Sequence, residues 1–251
     1  MNRRDFMMAT SATYLVSTST ALAQTTLGND LFQDYGFIDY YDPTHSNFFG
    51  FNPALAEDIA TAKDIVDKRL TAKSALDLMV QLHELQDTGS TGERFNARWM
   101  KYGNPLIVRF FHDIHYNFDR YPNDCTPWCA ATLSWCLQRV GKPIPKVPAS
   151  SQSFKELGRE IDPTQEELKL GDICVFTNIN DKDHGHVAFW IPGESSDYVI
   201  VLGANQDGGD VATNCGPDYP RSRVSVSKRA INKAKDASVS GQFLNKFVRI
   251  T

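Results

Sequence analysis

The apolar pattern of this chain changes period once, near Leu170, and that single switch constrains the fold more than any other feature. Before it, apolar residues recur at helical spacing: Leu55, Ile59, Ala62, Ile65, Val66 and Leu70, then Ala75, Leu76, Leu78, Met79, Leu82 and Leu85. After it, the runs are short and rich in β-branched and aromatic residues: Ile173 to Phe176, His186 to Ile191 and Tyr198 to Leu202. Arg223 to Val226 and Phe247 to Ile250 read as further strands. Helices first and an antiparallel sheet afterwards predict an α+β domain. With 251 residues and 41% hydrophobic content the chain can bury a sizeable core.

Punctuation refines the helices. Asn52-Pro53 reads as a cap followed by proline at the first helical position, and Thr71 as the cap of a second helix over Ala72 to Leu85. Phe95 to Tyr102 and Pro105 to Phe118 read as helical. Pro127 to Val140 is the strongest helix, with Gly141 as its stop. Lys142 to Ser153, with three prolines, is a loop. The polar Asp87-Thr88-Gly89-Ser90-Thr91-Gly92 divides a helical hairpin from the remainder of the chain. Residues 24–87 are therefore read as an aromatic arm plus hairpin, and 88–251 as a second unit.

Residues 1–23 carry the marks of an export signal rather than of fold. Arg3-Arg4 form a twin-arginine pair, a weakly apolar run comes next, and Ala21-Leu22-Ala23 offers a small-x-small cleavage site. The apolar run is too short and too polar to span a membrane stably. A net charge of −4 and a pI near 5.9 give no case for nucleic-acid binding.

Export changes the reading of the five cysteines, Cys125, Cys129, Cys136, Cys174 and Cys215. In an oxidising compartment, four paired cysteines and one reactive thiol is one reading; one disulfide or none, with the rest buried, is the other. Cys129, at the first turn of the strongest helix, is the thiol best placed to react, because unpaired N–H groups and the helix dipole there favour a thiolate. His186, on a strand whose alternation sets it with Ala188 and against Val187 and Phe189, is a base for it. Asn205 is an amide able to orient the imidazole. Gln206 rivals Asn205, His184 rivals His186, and Cys125 rivals Cys129. His112 and His115, one helical turn apart, are a candidate pair of metal ligands.

Thr126-Pro127-Trp128-Cys129-Ala130-Ala131 with Trp135-Cys136-Leu137, Leu170 to Phe176, Gly185 to Phe189 and Val201 to Gln206 together resemble the CHAP group. These are cysteine, histidine-dependent amidohydrolases/peptidases among the NlpC-type, papain-like peptidoglycan hydrolases. The resemblance covers roughly residues 96–230. It implies a papain-like fold, with N-terminal helices packed on a small antiparallel β-sheet, and leaves the segment before Asp87 as an extra helical addition. It implies catalytic residues Cys129, His186 and Asn205, no cofactor and no metal. The implied substrate is an amide bond of peptidoglycan stem peptides, cut by an endopeptidase or an amidase. The competing expectation is a non-catalytic exported module that binds cell wall or a partner, with its cysteines in disulfides.

Overall fold

The switch from helical to alternating periodicity is realised as two layers, helices on one side and a sheet on the other. The computed structural model describes residues 54–116, 123–193, 197–207, 222–231 and 241–250. The segments read as an export signal and an aromatic arm, the expected Asn52-Pro53 helix start and Cys215 lie outside the described residues.

Helix α1 spans Ala56–Asp64 and runs into a single π-helical turn, Ile65–Arg69. Helix α2 spans Ala75–Glu84, and its cap is Ser74 rather than Thr71: the Ser74 hydroxyl accepts the N–H of Asp77 at 3.0 Å. Helix α3 spans Pro105–Asp113, with Asn104 as cap and proline in its first turn. Helix α4 spans Cys129–Arg139. A 3₁₀ turn, Ser151–Glu156, closes the loop after it.

Residues 95–102 are not helical, against the periodicity. Their backbone groups are engaged elsewhere. The N–H of Trp99 donates to the buried carboxylate of Asp124 at 2.7 Å, and Ala97 forms an isolated bridge to Arg223. Phe95 and Trp99 are still buried, with ring centroids 5.1 Å apart, so the apolar spacing serves burial without a helix.

Among the described residues the sheet has six strands: β1 Arg159–Ile161, β2 Ile173–Asn178, β3 Gly185–Ile191, β4 Tyr198–Gln206, β5 Arg223–Ala230 and β6 Gln242–Arg249. All pairings are antiparallel, in the order β1-β6-β2-β3-β4-β5. β1 has no counterpart in the sequence pattern, since Arg-Glu-Ile is too short and too charged to carry a period.

The sheet's two faces bury different sets. Val175, Val187, Phe189, Leu202 and Ala204 join the helices in the larger apolar cluster, while Cys174, Phe176, Ala188, Val201 and Phe247 form a smaller one on the opposite face. That is the alternation expected of β3. The larger cluster holds Ile59, Leu78 and Leu82 together with Phe110, Leu133 and Leu137, so residues on both sides of the Asp87–Gly92 loop share one core. No helix among the described residues is long and apolar enough to cross a membrane.

Candidate active site

The approach to α4 is fixed by side chains that take the place of regular structure. Asn123 Oδ1 accepts the N–H groups of Cys125 at 2.9 Å and Thr126 at 2.8 Å, an Asx-type turn. The next residue, Asp124, is buried, and its Oδ2 takes the N–H groups of Trp99 at 2.7 Å and Asn104 at 3.0 Å. Burial pushes its carboxyl up to about 7, against the pull of those two donors and of Arg98. Asn104 in turn caps α3 through its Oδ1 and donates to the carbonyls of Phe95 and Ala97. Trp128 Nε1 bonds Ser222 Oγ at 3.2 Å, tying the last residue before α4 to the start of β5. The chain therefore reaches Cys129 through a preset path.

Cys129 opens α4 as a free thiol, 4% exposed. Its sulfur meets the N–H of Ala130, its own N–H and, from across the layers, the N–H of Val187. Val187 is the residue after His186, so the helix start and β3 meet at the sulfur. The three N–H groups and the Arg229 charge favour the thiolate, but desolvation outweighs them and the thiol's pKa is raised. The sequence-based expectation of a thiolate at the helix start is thus reversed for the resting site: removal from water overrides the N–H groups and the dipole.

His186 is buried opposite Phe176 on β2, with ring centroids 6.2 Å apart. Burial, then the Arg229 charge, hold the imidazole pKa well below its ordinary value; the Gln206 amide beside it acts the other way. His186 Nε2 is buried and makes no hydrogen bond among the described residues. At rest the thiol and the imidazole are thus each held toward the neutral form. Gly185 lets this part of β3 close on β2: a Cβ there would collide with the Phe176 carbonyl and the Gln152 amide.

An amide next to the histidine is that of Gln206. The β4–β5 register shifts between Gly203 and Gln206, and Asn205 sits in this bulge with φ of 57°. The extra residue leaves Asn205 half-buried and turns Gln206 fully inward. Gln206 Nε2 donates to the carbonyls of Gly203 and Ser225, while its Oε1 accepts from Ser227 Oγ and from Arg229 Nε at 3.2 Å.

The other rivals fall away from the site. Cys125 is disulfide-bonded, whereas Cys129, Cys136 and Cys174 are free and buried. Three free thiols do not fit a count of four paired cysteines and one reactive one. Desolvation pushes Cys136 and Cys174 above the ordinary thiol range, as expected of inert core thiols. His184 is exposed and pairs with Asp181 at 2.7 Å. Asp113, beside His112, is bonded to Arg109 Nε and to Trp135 Nε1. Among the described residues no group of three or more His, Cys, Asp or Glu side chains could hold a metal ion.

Two residues that shape the site carry little signal in the sequence: Asp124 as an anchor and Arg229 as the nearby cation. Asp124 is visible there only as part of an Asp-Cys pair, and Arg229 only as one basic residue in a polar strand. No protein-family model matches this chain, and neither a curated protein nor a solved structure matches it.

Proposed function

We propose that this chain is an exported cysteine hydrolase with a papain-like arrangement, cleaving amide bonds of peptidoglycan stem peptides. Cys129 is the nucleophile, His186 the base and Gln206 the orienting amide, in the role that the sequence resemblance implied for Asn205. The observation that carries the reading is the meeting of the Cys129 sulfur with the N–H of the residue after His186. That contact joins a free thiol at a helix start to a strand bearing a neutral imidazole. A free Cys129 also favours catalysis over a binding module with its cysteines locked in disulfides.

The chemistry starts from a neutral pair. As a substrate carbonyl enters, His186 takes the proton from the Cys129 sulfur, and the thiolate attacks the carbonyl carbon. The main-chain N–H groups at the start of α4 face the oxygen that becomes negative, a type of contact worth about 3–4 kcal/mol in comparable sites. The imidazolium returns its proton to the leaving amine as the C–N bond breaks. Water, deprotonated by the same imidazole, then releases the acyl group and regenerates the thiol. No step requires a cofactor. The twin-arginine leader is the basis for placing the enzyme outside the cytoplasm.

Incubating the purified protein with peptidoglycan and weighing the fragments tests the reading. New amide cleavage products are expected from the wild type. Cys129→Ala should lower the rate by at least about 10³-fold while the fold persists. Retained wall cleavage in that variant, or no cleavage by the wild type, would sink the proposal.

A further inference from the structure

Arg229 lies on β5, outside the motifs that led to the site, yet it touches two of the side chains that surround the imidazole. Its Nε donates to Gln206 Oε1 at 3.2 Å, and its guanidinium lies 5.6 Å from the centroid of the Phe176 ring. Phe176 is the cross-strand partner of His186. Another guanidinium nitrogen donates to Gln242 Oε1 at 3.0 Å, anchoring the far end of the side chain on β6. Arg229 is thus held from β2, β4 and β6 at once.

We propose that Arg229 is a positioning residue for His186, acting through the Gln206 amide that it bonds and the Phe176 ring that it covers. The inference rests on the thiol–imidazole reading above. Both hydrogens of the Gln206 amide are committed to the carbonyls of Gly203 and Ser225, so its oxygen is what it can offer the ring. Ser227 and Arg229 already donate to that oxygen. They compete with the imidazole for it and reduce its ability to stabilise an imidazolium. The Arg229 charge acts in the same direction on His186 and favours an anion on Cys129. Cys174, from β2, is a further titratable group within reach of that charge. β4 and β6 contribute neutral amides, Gln206 and Gln242.

The experiment tracks the ring nitrogens of His186 by ¹⁵N NMR across pH in the full chain, assigned with His186→Gln. The comparison is of wild type, Arg229→Met, Arg229→Lys and Ser227→Ala. Arg229→Met should raise the His186 midpoint by about one pH unit or more. Arg229→Lys, which keeps the charge, should shift it less, and Ser227→Ala, which removes an uncharged donor, less than Arg229→Met. Superimposable titrations for wild type and Arg229→Met would overturn the inference. Should Arg229→Met fail to fold, Arg229→Gln removes the charge while keeping donors for Gln206 and Gln242, and the same two outcomes apply. Because no substrate is used, the two readings separate. A shifted midpoint without wall cleavage removes the hydrolase and leaves the role of Arg229 standing; cleavage with an unshifted midpoint does the reverse.

Discussion

Asp124 is buried, accepts two main-chain N–H groups on one oxygen, and is pushed up to about 7 from an ordinary value of 3.8. Between those two values the folded state holds more protons than the unfolded chain. The stabilising contribution of this group is therefore complete below the unfolded value and is lost as pH rises through about 7. Asp124→Asn keeps an oxygen for the N–H groups of Trp99 and Asn104 and removes the titration. Thermal melts from about pH 5 to about pH 8 should show the wild type losing stability relative to the variant; parallel curves would refute this. Residue chemistry at the site is partly legible in the sequence. Cys129 and His186 stand out because a thiol at a helix start is followed, after the switch from helix to sheet, by a histidine on an apolar strand; either alone says little. The choice between Asn205 and Gln206 is not legible. Neighbouring residues face opposite ways in a regular strand, and only the bulge decides which of them turns inward. Nor is the balance at Cys129, where three N–H donors lose to desolvation, since desolvation depends on what the whole fold places around the sulfur.

At the scale of elements, helices and strands whose periodicity serves their own burial are readable, and those held by a distant partner are not. α4 is legible almost to its ends because Pro127, the small Ala130 and Ala131, and Gly141 all agree with its packing. Residues 95–102 mislead because Asp124, twenty-five positions beyond Trp99, takes the N–H that a helix would use. β1 is silent because its pairing with β6 comes from the far end of the chain. Gly185 is where element packing is least forgiving, since β3 approaches the Phe176 carbonyl there with no room for a side chain. Gly185→Ala should push β3 from β2 and destabilise the protein by about 1–3 kcal/mol. A denaturant melt measures this, and a midpoint equal to wild type would show that the strands can yield.

For the whole molecule, the shared core is the governing fact. Leu78, Met79 and Leu82 of α2 are buried in the same cluster as Leu133 and Leu137 of α4 and Leu202 of β4. Residues 88–251 produced alone would expose that surface to water, each buried leucine forgoing about 1.5–3 kcal/mol. The fragment should be insoluble or lack a cooperative thermal transition, and a soluble fragment melting like the full chain would contradict this. The same two-layer construction has a consequence for Cys129. Its sulfur belongs to the helical layer by covalent attachment and to the sheet by its contact with the Val187 N–H, so it spans the seam between them. It is a built-in gauge of closure. Slackening of helix against sheet would admit water to that one atom and loosen its Val187 contact, and so would register as a change in the reactivity of the thiol while the helices and strands themselves remained intact.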